Sequence, residues 1–464
     1  MNYINQAQKN KIVLELSDIF TELQRYQLLN KINNNLSFII QQNQINETKI
    51  QKIKRFSQLD LSIDQISIKV FQNSPHLINK DNLNNFIMLF DALHSIIFQS
   101  QRLKKIDFCF NLLDICPQFF QSSNAKSNQQ LESLSLDFVS CKSRQNLLSS
   151  FFNSFCKNSD LKQISLKFKD CNFSNQILED CLQQLKKYIN LEQLIIQVIE
   201  NQVDYQIVRN IKNYISSPNL KHLSLKIQSK LYDNFQNNKL LTLMPILEKS
   251  KNLQNFKIEF SQMKLSDEAG VFFKIFKNFL SIQKIHINFN KNQIKKEGAT
   301  QIFHSFSYLK NLTSLSLYMN DNDIKDSLDH LSYSVVPLAQ LQDLDVNLQN
   351  CNLGCNEQTN CLRKMTQTQQ ICLFNLNIKD NQMLTKEQEK LIVQYLMYWQ
   401  SSKSSKEILY FQFKITCEQT KLIQEQELLL NKNHHSLLLY IAYSKYVNPY
   451  IIFSNKYSLA DLYY

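Results

Sequence analysis

Glycine is scarce in this chain, with three copies, Gly270, Gly298 and Gly354, among 464 residues. None of them forms a Gly-x-Gly or a Gly-x-x-x-x-Gly-Lys arrangement. Loops that cradle phosphates need glycine, because their backbone must reach positive φ and approach the phosphate closely. We therefore exclude Walker and Rossmann nucleotide sites, the protein-kinase signature and the Gly-x-Ser-x-Gly nucleophile elbow, and we expect no cofactor.

Long apolar runs are also missing. No stretch approaches the roughly 18 apolar residues of a transmembrane helix, and the start of the chain lacks the apolar region of a signal peptide. The 11 cysteines are odd in number and show no paired spacing, which favours free thiols in a reducing, cytoplasmic setting. Neither the group Cys351, Cys355 and Cys361 nor the pair His434 and His435 has the spacing of a zinc site, so we predict no metal.

Arginine is rare, although the formal net charge is +12. Six arginines stand among 52 basic residues, and the lysines are dispersed along the chain. Bidentate recognition of guanine or phosphate favours arginine. Binding of RNA or of an anionic surface through dispersed lysines therefore stays an alternative to the leading hypothesis.

Catalytic constellations are absent from the sequence pattern. Cys109, Cys156, Cys181 and Cys372 lie in apolar segments, and we interpret them as small core residues and not as nucleophiles. No charged partner is arranged near any of them in sequence. We predict that the protein is not an enzyme, with no catalytic residues and no small-molecule substrate.

A repeated block is present instead. Leu312–Met319 has the form apolar-x-x-apolar-x-apolar-x-apolar, and Ile282–Phe289 and Leu341–Leu348 repeat it. Such alternation predicts a half-buried strand. Copies begin about every 30 residues, at Leu103, Leu131, Leu161, Leu191, Leu220, Leu253, Ile282, Leu312, Leu341, Ile371 and Ile408, with a weaker copy at Phe56.

The segments after the strands are regular too. Cysteine or asparagine stands seven residues after the second apolar position in seven copies: Cys141, Cys171, Asn201, Asn292, Asn322, Cys351 and Asn381. A helical pattern follows, as in Ser266–Phe279, where Ser266 is predicted to cap a helix and the phenylalanines are predicted to fill the space between strand and helix layers.

This combination resembles the leucine-rich-repeat family over residues 56–417, and the acidic helix starts resemble its ribonuclease-inhibitor-like subfamily. In that family the asparagine or cysteine turns inward and bonds the backbone of its own loop and of the next repeat. The resemblance implies an α/β leucine-rich-repeat solenoid, a horseshoe with a parallel sheet on the concave face and helices on the convex face. The pattern here suggests a strand two residues longer than the usual consensus.

Three regions follow from the pattern. Residues 1–52 are predicted to be an N-terminal helical cap or arm, with an amphipathic helix from Ile12 to Tyr26. Residues 53–417 are predicted to hold about 11–12 repeats of roughly 30 residues. Residues 418–464 are expected to be a C-terminal cap or a docking tail.

The resemblance implies a function as a non-enzymatic protein-interaction scaffold, which binds a protein partner through its concave strand face. A subunit of a larger complex is one form that such a scaffold can take. A GTPase-activating role is a lesser alternative, because the acidic tail and supporting arginine of that branch are missing. Solvated strand residues without a binding role are the other interpretation. The candidate partner-binding side chains, read from the alternation, are Lys167, Lys226, His286, Asn288, Tyr318, Asp345, Asn347, Asn375, Tyr410 and Gln412.

Overall fold

The computed structural model describes residues 11–15, 35–41, most of 47–53, 63–71, 80–99, 102–111, 130–142, 160–201, most of 210–229, most of 240–395, and 408–412. The chain divides into two compact units, Met1–Asn234 (unit 1) and Phe235–Tyr464 (unit 2). In each unit the strands pair in parallel in chain order, and the described helices lie between successive strands. Both units are therefore α/β repeats of a kind that fits a solenoid.

Unit 1 contributes eight strands among the described residues. They are β1 Lys11–Glu15, β2 Asn35–Gln41, β3 Gln65–Phe71, β4 Lys105–Asn111, β5 Ser133–Val139, β6 Gln163–Lys169, β7 Gln193–Asn201 and β8 His222–Ser229. Its described helices are α1 Lys80–Gln99 and α2 Asn175–Gln183, and a 3₁₀ turn, Gln184–Lys187, extends α2.

Unit 2 contributes six strands among the described residues. They are β9 Asn255–Glu259, β10 Lys284–Asn288, β11 Ser314–Tyr318, β12 Asp343–Asn347, β13 Leu373–Asn377 and β14 Ile408–Gln412. The helices are α3 Met244–Lys249, α4 Glu268–Phe273, α5 Lys296–Phe306, α6 Leu328–Val335 and α7 Cys355–Met365. 3₁₀ turns precede α3 at Leu240–Leu243 and follow α4 at Lys274–Asn278.

The core lies between the strands and the helices. Equivalent residues of neighbouring repeats stack on one another, as in Phe110, Phe138 and Phe168, whose ring centroids lie 5.2 and 5.5 Å apart. In unit 2, Phe273 and Phe276 of the helical layer are fully buried with their rings edge to face. The phenylalanine-rich helix therefore fills the core, as predicted.

The ten strands β4–β13 each begin two residues after a predicted block start, which confirms those blocks. The weak copy at Phe56 lies, except for Ile63, outside the described residues. The strand that pairs with β4 is β3, Gln65–Phe71, which the sequence did not predict; its buried side chains are Ile66, Ile68 and Val70. The long gap before Leu103 is one long repeat that contains the 20-residue helix α1.

The N-terminal region also differs from the sequence expectation. Lys11–Glu15, the start of the predicted amphipathic helix, is a strand and pairs in parallel with Asn35–Gln41, which pairs with β3. The short apolar run Ile12-Val-Leu suits a strand as well as a helix, because its length does not distinguish the two periods. The described residues thus hold 14 strands. Residues 418–464, with His434 and His435, lie outside the described residues, as does Cys156.

Strand length separates the two units. β3–β6 have seven residues, as the extended pattern predicted, whereas β9–β13 have five. Asn290 and Asn320 lie two residues after the ends of β10 and β11. The equivalent positions in unit 1 are Val139, Lys169 and Ile199. The Asn290 and Asn320 side chains accept the backbone N–H of the next repeat's turn, at 2.8 and 3.0 Å. Short amides compete with the strand ladder in this way and end the strand early.

The predicted inward asparagine and cysteine positions are confirmed. Asn322 is buried, and its Nδ2 donates to the carbonyl oxygens of Met319 and Phe289 at 2.8 and 2.9 Å. Its Oδ1 accepts from the backbone N–H of Ile294 at 3.2 Å. Cys351 is buried at the same position and donates its thiol to the Met319 carbonyl at 3.1 Å.

The direction of these bonds corrects the expectation drawn from the resemblance. They reach the loop of the same repeat and the backbone of the preceding repeat, not of the next one. Asn292 bonds Phe260 and Met263, and Asn381 bonds Leu348 and Cys351, in each case one repeat earlier. Each repeat therefore fixes the turn of the one before it.

The residue before each of these positions has a left-handed backbone. None of the seven is glycine, and their φ angles lie between 51° and 59°. Outside glycine, asparagine and aspartate this conformation costs on the order of 1 kcal/mol. The buried bonds that follow offset this cost. The seven residues are Ser140, Asp170, Glu200, Lys291, Asp321, Asn350 and Asp380.

A membrane-spanning role finds no support in the described helices, none of which combines the length and apolar character needed to cross a bilayer.

We expect Asn322→Ala to lower the free energy of unfolding by about 3 kcal/mol, because it leaves several buried backbone groups without partners. Asn322→Cys, the residue that the protein itself uses at position 351, keeps a donor and should cost only about 1.5 kcal/mol. Urea unfolding followed by circular dichroism measures both. Equal losses for the two variants would contradict a hydrogen-bonding role.

Candidate binding site on the strand face

Six of the predicted partner-binding residues meet on one face of unit 2. The parallel register places His286 beside Ser316, Asp345 and Asn375 in one row. The next row holds Asn288, Tyr318, Asn347 and Asn377. Adjacent strands lie about 4.8 Å apart, so side chains of neighbouring repeats can contact one another. All six predicted residues are partly exposed.

Asp345 is the centre of this face. The Tyr318 hydroxyl donates to Asp345 Oδ2, and Asn375 Nδ2 donates to Asp345 Oδ1 at 2.7 Å. Burial raises the pKa of the Tyr318 hydroxyl, and the Asp345 carboxylate raises it further. The phenol therefore stays a protonated donor far above neutral pH, and the carboxylate is held from both sides.

A second carboxylate continues the contacts toward β9. Glu259 is 7% exposed, and its Oε1 lies 2.6 Å from Lys257 Nζ and 3.5 Å from His286 Nε2. The His286 ring meets the Tyr318 ring edge to face, with centroids 5.2 Å apart. Contacts therefore run without a break from β9 to β13, and we name this set the polar ladder: Lys257, Glu259, His286, Tyr318, Asp345 and Asn375.

The amides beside the ladder differ in their bonding. Asn288 Oδ1 accepts from the Ser261 hydroxyl at 2.9 Å. The Oδ1 atoms of Asn347 and Asn375 are buried and have no hydrogen-bond partner among the described residues. The backbone of β14 places Tyr410 beside Asn375 and Gln412 beside Asn377. The side chains of Tyr410 and Gln412 lie outside the described residues.

Lys167 and Lys226, the other two predicted residues, belong to unit 1. Lys167 on β6 stands between Asp137 on β5 and Gln197 on β7, and Lys226 follows on β8. Burial raises the pKa of the Asp137 carboxyl, and the charge of Lys167 opposes this rise. These lysines face the same side of their strands as their alternation predicted, but they are not part of the polar ladder.

The helix side of unit 2 carries a separate acidic group. Burial, followed by the nearby charges of Asp326 and Asp329, raises the pKa of Glu357 to about 7. Lys364 Nζ lies 3.0 Å from Asp329 Oδ1 and 3.6 Å from the centre of the Tyr333 ring. Among the described residues, no group of three or more His, Cys, Asp or Glu side chains is placed to hold a metal ion.

Glycine has a packing role at the helix starts of unit 2. Asp267 Oδ1 accepts the backbone N–H groups of Lys295 and Gly298, at 2.7 and 3.1 Å. A Cβ atom at Gly298 would lie 2.6 Å from that same oxygen. Asp267 thus caps the helix of the following repeat, and Ser266, the predicted cap, makes no side-chain cap to α4.

The cysteines are mostly structural. Cys181 and Cys361 are buried, and burial raises the pKa of the Cys351 thiol to about 12. Two predictions of core positions are wrong: Cys109 is half-exposed on the outward row of β4, and Cys372 is exposed just before β13. Neighbouring apolar residues in sequence cannot distinguish a core thiol from an outward one beside it.

The contacts of the polar ladder are what sequence reasoning missed. The alternation identifies Glu259 as outward, but it does not show that Glu259 is nearly buried or that Lys257 contacts it. Glu259 contacts Lys257, two residues away on the same strand, and His286 on the neighbouring strand. Both contacts depend on side-chain conformations. The available signal is the placement of opposite charges in neighbouring rows of the register.

Comparison with known proteins adds no family. No protein-family profile matches the chain, and no curated protein matches it significantly.

We expect Tyr318 and Asp345 to be energetically coupled. Tyr318→Phe and Asp345→Asn should each destabilise unit 2, and the double variant should lose about 1 kcal/mol less than their sum, because one hydrogen bond is removed twice. A double-mutant cycle from urea unfolding measures this. The pair Tyr318→Phe and Lys310→Ala, which share no contact, serves as the additive control.

We expect Glu357→Gln to stabilise the protein above pH 7. The pKa of Glu357 in the folded chain, about 7, lies above the ordinary glutamate pKa of 4.5. Between these pH values the unfolded chain loses its proton while the folded chain keeps it, so stability falls as pH rises through this window. The variant should gain on the order of 1 kcal/mol at pH 8, after allowance for solvent screening, and nothing at pH 4. Thermal unfolding at the two pH values tests this, and an equal gain at both would refute it.

Proposed function

We propose that the protein is a non-enzymatic interaction scaffold of the leucine-rich-repeat type, with a ribonuclease-inhibitor-like horseshoe, and that it binds a protein partner on the strand face of unit 2. The repeat length near 30 residues, the strand–helix alternation and the buried asparagine and cysteine positions support the repeat type. The binding role is supported by the polar ladder.

The single observation that carries the proposal is the fixed geometry of the ladder. Five neighbouring strands present polar side chains that are held by one another and not by the core. Side chains that are already ordered lose little conformational entropy on binding. A surface with preset donors and acceptors discriminates between partners more sharply than mobile side chains do.

Tyr318 is the expected anchor of the interface. Its ring is held between His286 and the hydroxyl contact to Asp345, and it is partly exposed. Tyrosine combines a large contact area with a polar end, and binding energy often concentrates on such residues. The asparagines around it supply polar contacts at the margin.

Binding of an anionic partner is the second candidate, favoured by the lysines on the strand face of unit 1. An electrostatic partner dissociates as salt rises, whereas a partner held by the polar ladder is less sensitive.

The test is affinity purification of the tagged full-length chain at native expression, followed by quantitative mass spectrometry. We expect the variant Tyr318→Ala/Asn347→Ala/Asn375→Ala to recover its specific partner at least tenfold less well than the wild type. A matched control, Leu280→Ala/Tyr308→Ala/Lys310→Ala, changes exposed residues away from the strands and should recover the partner normally.

Thermal unfolding of both triple variants separates loss of binding from loss of folding. Unchanged recovery with the strand-face variant, or loss with the control alone, would overturn binding on this face.

A further inference from the structure

The strand face of unit 1 has a different character from that of unit 2. From β3 to β8 the register aligns the outward side chains in four rows. The row at the strand starts contains Lys105, and the other three are numbered from it. The first of these three rows is mostly serine, the second carries most of the charge, and half of the third is apolar. The second row is Lys69, Cys109, Asp137, Lys167, Gln197 and Lys226, and the third is Phe71, Asn111, Val139, Lys169, Ile199 and Gln228.

Positive charge dominates this face. Across the outward positions of β3–β8, five lysines stand against two aspartates, a formal excess of three positive charges: Lys69, Lys105, Lys167, Lys169, Lys226, Asp107 and Asp137. The corresponding positions of β9–β13 carry two lysines against three carboxylates, Lys257, Lys284, Glu259, Asp343 and Asp345. The basic character therefore belongs to unit 1 and is not a uniform result of composition.

The two aspartates offset part of this positive charge and leave the excess of three. Asp107 is already engaged by Lys105 Nζ at 3.4 Å and by Gln65 Nε2 at 2.9 Å. Asp137 is partly buried, and burial raises the pKa of its carboxyl. Lys69 and Lys169 are exposed, so their charges are directed at whatever approaches the face.

Apolar side chains accompany the lysines. Ile195 and Ile199 on β7 and Val139 on β5 are partly exposed at outward positions. Lys169 lies in the row between Val139 and Ile199. An occupant that complements this face must offer carboxylates to the lysines and apolar groups to the branched side chains.

These features favour a polypeptide over a nucleic acid. Strands β3–β8 contain no arginine, and the outward aromatic side chain in the second and third rows is Phe71. Single-stranded nucleic acid is usually held by several stacking rings in a basic groove.

We propose that the face formed by Lys69, Val139, Lys167, Lys169, Ile199 and Lys226, the lysine face, binds an acidic segment of a partner protein in which carboxylates alternate with apolar residues. The lysine face spans five strand intervals, or roughly 24 Å, which about eight extended residues would cross. The lysines of the second row supply the ionic contacts, and Val139 and Ile199 exclude water from them.

The test is selection of random 12-residue peptides displayed on phage against the immobilised full-length chain. The selected peptides are then synthesised, and their binding is measured by fluorescence anisotropy. We expect enrichment of Asp and Glu interspersed with Leu, Ile, Val or Phe. Affinity for these peptides should fall at least tenfold in Lys167→Gln/Lys169→Gln, and about tenfold between 50 and 300 mM salt.

Two controls make the result decisive. Lys284→Gln/Lys310→Gln removes the same charge from exposed positions of unit 2 and should leave peptide affinity unchanged. Tyr318→Ala should also leave it unchanged, so that failure here is distinguishable from failure of the proposed function. Circular dichroism shows whether each variant is folded.

Three outcomes would overturn the proposal. The first is the absence of enrichment above a blank surface. The second is enrichment of peptides that lack acidic residues or bind the lysine variant equally well. The third is tighter binding of a 12-nucleotide oligouridine than of any selected peptide, lost in the lysine variant, which would assign the face to nucleic acid.

Discussion

The fold depends on one inward position in the turn, which asparagine or cysteine occupies after seven of the 14 described strands. The chain leaves the ladder there, passes through a left-handed residue such as Asp321, and must satisfy backbone groups that have lost their strand partners. Asn322 does this with a single side chain, which bonds its own turn and the strand end of the preceding repeat. Because each such bond reaches back one repeat, no repeat is complete until its successor has folded. Stability in such an array comes largely from interfaces between neighbours.

The same position explains how a chain with three glycines forms so many tight turns. Glycine usually occupies positions with positive φ. In these turns the residue with positive φ, which precedes the asparagine or cysteine, is serine, aspartate, glutamate, lysine or asparagine. The free-energy cost of the left-handed conformation in these residues is small compared with the stabilisation from the buried hydrogen bonds that the next residue makes. Glycine is kept instead at Gly298, where Asp267 approaches so closely that a Cβ atom would collide with its carboxylate oxygen.

The sequence was informative about repeats and much less so about side-chain contacts. Alternation gave the place and register of ten strands, because an apolar side chain every second position leaves one register that buries them all. It did not predict β3, and it predicted a helix at Lys11–Glu15, where a short apolar run fits either period. The outward positions of Tyr318 and Asp345 were predictable, but their contact was not, since it depends on the side-chain conformations of residues one strand apart.

The two strand faces follow from a small difference at the strand ends. In unit 2, Asn290 and Asn320 bond the next turn directly after β10 and β11, which end after five residues, so that the outward surface ends at the row of Tyr318 and Asn347. In unit 1, Val139, Lys169 and Ile199 occupy the equivalent positions, the strands continue, and a further outward row appears. The added row brings both the branched apolar groups and the exposed Lys169. A change that ends a strand thus also changes the side chains that the repeat presents at its outward surface.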